Sequence, residues 1–219
     1  VARSGGVLER AGHTEASVDI SKMSKLNPSA VICEVMNEDG RMARLKDLQK
    51  FSIKHKIKIA SIEDLIAHRL RNEKHILKLS NKSFKYKKGI NLEYIIYENK
   101  LNKSKNYIVK KGKFNFKKSV RVRVISLDIT KTNLIFKNLK VKSSLDYLSK
   151  FSNFLLIIIN NKKAQENEKE NGILRYYGIG AQIIKDLRVR NMILVTKSRK
   201  KIIGLEGFGL KIKKQELIK

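Results

Sequence analysis

Six consecutive apolar residues, Phe154–Ile159, form the longest apolar run in the chain. The run is far short of the ~20 residues a helix needs to cross a bilayer, and it reads as a strand. No basic region precedes an apolar one at the N-terminus, so neither a signal peptide nor a membrane partner is expected. With 42% of 219 residues hydrophobic, the chain has material for a packed core in one large or two small domains. Cys33 is the one cysteine. That excludes an internal disulfide framework and a Cys-based zinc site, and it fits a cytoplasmic location.

Residues 1–71 read as compact, layered α/β. Thr14 is placed to cap a helix from Glu15 to about Leu26, with Ala16, Ile20 and Met23 on one face. Asn27-Pro28 ends it. Ala30–Met36 is a mostly apolar strand interrupted by one carboxylate, Glu34, and Asn37-Glu38-Asp39-Gly40 is a turn. Leu48, Phe51 and Ile53 sit in a second helix, and Ile57–Ala60 is a short strand. Ser61-Ile62-Glu63-Asp64 is a capping box that opens a third helix through Leu65, Ile66 and Leu70.

Residues 72–118 are rich in Lys and Asn, with β-like patches at Leu92–Tyr97 and Tyr107–Val109. Ser119–Ile129 alternates, Val120, Val122 and Val124 against Arg121 and Arg123, and reads as a strand. A helix start at Ser144–Phe151 precedes the apolar run, and the polar loop Asn160–Asn171 follows it. A helix over Ile173–Leu187 turns Ile179, Ile183, Ile184 and Leu187 inward. Met192–Thr196 is a strand, Lys197–Lys201 a basic turn and Phe208–Ile212 a final strand.

The formal net charge is +29, and it is uneven. Residues 1–71 carry 13 basic and 9 acidic side chains, whereas the remaining 148 carry 36 and 11. A surface of that kind suits nucleic acid or an anionic membrane. Lys outnumbers Arg about three to one, and abundant Asn and Ile accompany it. That pattern is also what A/T-rich codons produce, and it ranks nucleic acid second among the partners. Phe84, Tyr86, Phe114 and Phe116 lie among Lys82, Lys85, Lys87, Lys113 and Lys117. Interleaving of this kind reads as a stacking surface or, more often, as one buried strand face.

Arg10-Ala11-Gly12-His13-Thr14-Glu15 is the segment richest in chemistry. Gly12 permits close backbone approach, and the helix that follows offers amides to an anion. Arg10 suits a phosphate, and His13 can bind a divalent metal or move a proton. A His at a helix start also serves as an ordinary surface or capping residue. Glu34 is either solvated or, within a buried strand, paired, metal-bound or raised in pKa.

The segment Gly5–Ala16 resembles the Arg-x-Gly-His-Thr-Glu motif of 3,4-dihydroxy-2-butanone-4-phosphate synthase. Ala30–Arg44 resembles that family's second signature, and Ile59–Ile66 resembles the end of its domain. The resemblance implies conversion of ribulose 5-phosphate to 3,4-dihydroxy-2-butanone 4-phosphate and formate, a lyase step of riboflavin biosynthesis. It implies Mg²⁺ or Mn²⁺ as cofactor and a homodimer. It also implies that Arg10, Ala11, Gly12, His13, Thr14 and Glu34 bind substrate. His13 would ligate the metal, and Glu34 with His13 would be catalytic. Glu15 is expected to support the helix start. The family's acidic Arg-Glu-Asp-Glu-Gly-Asp-type segment does not occur in these residues. With Val1 in place of Met, the chain is expected to be the C-terminal part of a longer protein and inactive alone.

Leu174–Leu187, Met192–Thr196 and Ile202–Leu210 resemble GTP cyclohydrolase II. That family's zinc is held by three cysteines, and residues 72–219 have none, so no zinc is expected. Thr196 and Lys201 are candidate remnants of nucleotide contacts or plain turn residues. The expected architecture is therefore α/β (α+β): the C-terminal part of a synthase domain over 1–71, then a degenerate cyclohydrolase II-like domain over 72–219. The alternative is a non-catalytic, basic nucleotide- or RNA-binding or structural protein.

Overall fold

The structure is a computed structural model that describes residues 1–129, 135–160, 170–199 and 205–218. It forms two compact units, Val1–Arg69 and Leu70–Lys219.

The apolar run becomes β5 (Phe154–Asn160), and all six of its residues are buried. Side chains alternate across a strand, so Leu155, Ile157 and Ile159 enter one core cluster and Phe154, Leu156 and Ile158 another. An uninterrupted run is stable only where both faces are covered. Helix α5 (Glu170–Asp186) covers the first with Ile179, Ala181, Ile183 and Ile184. Helix α4 (Leu139–Leu148) covers the second with Val141, Leu145 and Leu148. Each buried Val, Leu or Ile among them contributes ~2 kcal/mol of transfer free energy before entropy is subtracted.

The second unit is one seven-stranded sheet. Its strands are β1 (Ile76–Tyr86), β2 (Ile90–Asn99), β3 (Lys105–Lys111), β4 (Ser119–Leu127), β5, β6 (Asn191–Thr196) and β7 (Lys211–Leu217). They lie in the order β1-β2-β3-β5-β4-β6-β7. The β1-β2-β3-β5 portion is antiparallel, whereas β4 is parallel to both β5 and β6, and β6 to β7. The chain thus leaves β4 to form β5 on one side and later β6 on the other.

Several sequence expectations are corrected here. Strand β1 hides in the Lys- and Asn-rich stretch because an edge strand is mostly exposed and lysines there block further pairing. Helix α4 starts five residues before Ser144, where Asn138 Oδ1 accepts the Lys140 N–H at 2.9 Å. The final strand is β7, not 208–212. Gly209, at φ +73°, turns the chain after a short 3₁₀ turn at Glu206–Phe208.

The first unit holds α1 (His13–Met23), α2 (Leu45–His55) and α3 (Ile62–Asn72, whose end enters the second unit). The third start is as read: Ser61 Oγ accepts the Asp64 N–H at 3.0 Å. The turn at 37–40 also forms, with Gly40 N–H donating to Asn37 O at 2.9 Å and φ +78°. The two expected strands do not. Residues 30–35 and 57–60 carry no ladder, and the one isolated bridge joins Met36 to Met42. Val31 and Ile32 are exposed. Hydrophobic pattern marks a segment able to pair, but a strand exists where a neighbour accepts its backbone hydrogen bonds. Helix α1 also begins two residues earlier than read. Its N-cap is Gly12 rather than Thr14, and Ile20 and Met23 are exposed.

Candidate functional site

The buried side chains of α1 are Glu15 and Asp19, two carboxylates one turn apart. Buried carboxylates need partners, and each has a guanidinium and a backbone amide. Glu15 Oε1 accepts Arg10 Nε at 2.8 Å, Arg10 Nη2 at 2.7 Å and the Arg3 N–H at 2.9 Å. Asp19 Oδ2 accepts the Val7 N–H at 2.8 Å and Arg69 Nη1 at 2.9 Å. Arg69 Nη1 also donates to Gly5 O at 2.9 Å. The Gly5–Gly6 loop is therefore tied to both α1 and α3. Gly6 has φ +61°, and a Cβ there would collide with the Asp19 carboxylate.

Arg10, the Arg3 amide and the backbone amide of Glu15 itself hold the Glu15 carboxyl down at about 2, so it is an anion across the neutral range. Its Oε2 is buried without a hydrogen-bond partner among the described residues. A Cβ on Gly12 would stand 2.8 Å from that atom, which is why the position before α1 has no side chain. Glutamate thereby fixes the Arg10 guanidinium beside the first turn of α1, while 52% of the Arg10 side chain stays exposed. His13 and Thr14 follow in that first turn, where amides have no intrahelical acceptor. The Arg10 guanidinium and the His13 and Thr14 amides can together receive an anion.

Of the candidates, Arg10, Ala11, Gly12, His13 and Thr14 are contiguous here. Glu34 lies in the exposed segment 30–35, and no hydrogen bond or ion pair joins it to Arg10–Glu15 among the described residues. Asp19, Arg69 and Gly6 escaped sequence reasoning. A trace was available, since Asp19 follows Glu15 by four positions and no apolar residue stands at either place. A hard divalent cation takes about six ligands, mostly oxygen. Among the described residues no three His, Cys, Asp or Glu side chains converge. His13 would supply one ligand of such a coordination sphere and does not complete it.

The second unit holds a different buried cation. Arg123, 4% exposed on β4, donates to Ser144 Oγ at 2.6 Å and Val195 O at 3.3 Å. Both partners are neutral, and burial pushes its pKa down. The alternation sends Val120, Val122 and Val124 to the α5 side of the sheet and Arg123 to the side that α4 covers. Thr196, at the C-terminal end of β6, is buried, and its Oγ1 has no partner among the described residues. Lys201 lies outside the described residues. Of the interleaved aromatics, Phe84 and Tyr86 pack on the core, Phe114 packs on the other cluster, and Phe116 is exposed.

Comparison with known proteins finds a match in each half of the chain. Residues 1–68 match the family model of 3,4-dihydroxy-2-butanone 4-phosphate synthase, and residues 156–216 match that of GTP cyclohydrolase II. The chain is 38% identical to riboflavin biosynthesis protein RibBA of Aquifex aeolicus over 100% of its own length and 60% of the relative's. It is 33% identical to a 3,4-dihydroxy-2-butanone 4-phosphate synthase of Photobacterium phosphoreum, over 97% of the chain and 62% of that protein. Among solved structures it is similar to RibBX, a two-domain 3,4-dihydroxy-2-butanone 4-phosphate synthase from A. baumannii. The TM-score is 0.76 at 31% identity, covering 99% of this chain and 62% of that one. The chain spans about three fifths of the length of these relatives.

Proposed function

We propose that the protein acts in riboflavin biosynthesis as a 3,4-dihydroxy-2-butanone-4-phosphate synthase, with residues 1–69 supplying the sugar-phosphate end of its site. The observation that carries this reading is the Glu15–Arg10 pair at the open start of α1, inside the segment that matches the synthase family. The phosphate of ribulose 5-phosphate meets the Arg10 guanidinium and the first-turn amides. Glu15 holds Arg10 in place, so little conformational entropy is lost on binding.

Glu34 is the proposed carboxylate that takes the proton next to the ketone, and His13 is this segment's one candidate metal ligand and its second proton carrier. Divalent metal, when bound, would stabilise enediolate charge. The same reading implies a homodimer, which sedimentation velocity measures. Residues 72–219 contain no cysteine to bind zinc as thiolate. We assign them no ring-opening of GTP.

Formate release from ribulose 5-phosphate by the protein of the complete reading frame tests the proposal. His13→Ala and Glu34→Gln are expected to lower kcat ~100-fold or more. Arg10→Met is expected to act mainly on KM. Absence of formate from the unaltered protein, or variants at full kcat, would overturn the reading.

A further inference from the structure

Six cations of the second unit flank the start of its parallel strands. Residues 105–127, 187–205 and 207–215 contain no Asp or Glu. Their described parts meet where the parallel strands begin, because the register aligns Ser119 of β4 with Asn191 of β6, and Asn191 with Lys211 of β7. Lys113, Lys117 and Lys118 precede β4, Arg188 and Arg190 precede β6, and Lys211 opens β7. All six are exposed. Glu216, farther along β7, is already paired with Arg121 through two hydrogen bonds of 2.9 and 3.1 Å.

This end is built rather than loose. Asn115 Oδ1 accepts the N–H groups of Lys117 at 3.1 Å and Lys118 at 2.9 Å, which fixes the turn. Asn191 Nδ2 donates to Phe116 O at 3.2 Å, and the Lys211 N–H donates to Arg190 O at 2.8 Å. Phe116 stands among the cations with 46% of its surface exposed, and the Arg190 guanidinium lies 4.7 Å from its ring centre. An exposed aromatic ring beside a guanidinium, rimmed by lysines, presents π-faces for bases and charges for phosphates.

We infer that the end of the sheet formed by Phe116, Arg190 and the surrounding lysines binds single-stranded RNA, without sequence preference. A duplex would offer phosphates but keep its bases stacked away from Phe116. The inference concerns residues of the second unit alone and does not depend on the synthase reading.

The test is fluorescence anisotropy of a labelled 12-nucleotide oligo(U) with the full protein across a KCl series. Engaging four phosphates predicts a log Kd–log salt slope of magnitude about 3. Phe116→Ala is expected to weaken binding ~10-fold while leaving the slope unchanged. Lys117→Glu with Lys118→Glu is expected to weaken binding and flatten the slope. Circular dichroism melts of these variants should match the parent, since the residues are exposed. Oligo(U) binding unaffected by either substitution would overturn the inference. So would absence of oligo(U) binding by a protein that binds phosphatidylserine vesicles, which would make the surface a lipid site.

Discussion

Arg69 and Asp19 are fifty residues apart in sequence, and their side chains meet at 2.9 Å with 14% and 4% exposure. The same guanidinium nitrogen holds Gly5 O, so one residue of α3 fastens both α1 and the loop before it. Asp19 stands one helical turn after Glu15, and the clamp makes no proposed contact with substrate. Asp19→Ala leaves the Arg69 charge and the Val7 amide without their carboxylate. Breaking one side of a buried pair costs about 3 kcal/mol, and that loss is expected as a lower urea midpoint with little change in slope. Double-mutant analysis with Arg69→Met should show strong non-additivity.

Gly6→Ala is expected to be worse than an ordinary loop substitution. The position has φ +61°, and the new methyl would enter the Asp19 carboxylate. Strain and a displaced ion pair act together, for about 2 kcal/mol or more. Ala substitution at Gly40, also left-handed at φ +78° but with nothing within 4 Å, isolates the backbone term and should cost less. Thermal melts of the two variants separate these contributions.

Acid should attack the first unit through Glu15. Its folded pKa of about 2 lies below the ordinary 4.5, so the unfolded chain takes up the proton first as pH falls. The stabilisation is complete above pH 4.5 and is lost between there and about pH 2. Glu15→Gln should reduce the pH dependence of stability in that window. At neutral pH the same variant frees Arg10, so KM for ribulose 5-phosphate should rise more than kcat falls. Urea midpoints at stepped pH and steady-state formate assays read the two effects separately.

Alkali should attack the second unit. Burial pushes Tyr94 up to about 12, whereas an unfolded tyrosine ionises near 10. Stability is unaffected below pH 10 and falls as pH rises from there to about 12. Absorbance at 295 nm should show Tyr94 ionising well after an unfolded tyrosine or together with unfolding, and Tyr94→Phe should remove its share of that loss.

Arg123→Met should be neutral or stabilising by about 1 kcal/mol. The arginine is desolvated and bonded to neutral partners, so replacing it with an apolar side chain removes a burial cost. A loss of several kcal/mol in the melt would contradict this account of the site.

Much of the second unit was readable because its signals are local. The Phe154–Ile159 run, the inward face of α5 and the alternation in β4 each follow from periodicity. Strand β1 was not readable, since an edge strand's lysines look like a loop until β2 is seen to pair with it. In the first unit, the Arg10–Thr14 motif could be placed at a helix start from the residues, although the cap proved to be Gly12. The inward face of α1 could not, because acidic residues at Glu15 and Asp19 mimic a solvated face.

Sequence alone determined the composition of each part: which segments are apolar enough to be cores, where the charge concentrates, and which motif opens α1. Tertiary structure decided burial and partnership. It turned Arg123 inward because α4 covers that face of the sheet, and it buried Glu15 and Asp19 because Arg10 and Arg69 reach them. It left 30–35 without a ladder because pattern specifies readiness to pair, not a neighbour. The physical reason is common to all three. Periodicity is a property of one segment, whereas desolvation, ion pairing and strand pairing belong to two segments brought together in space.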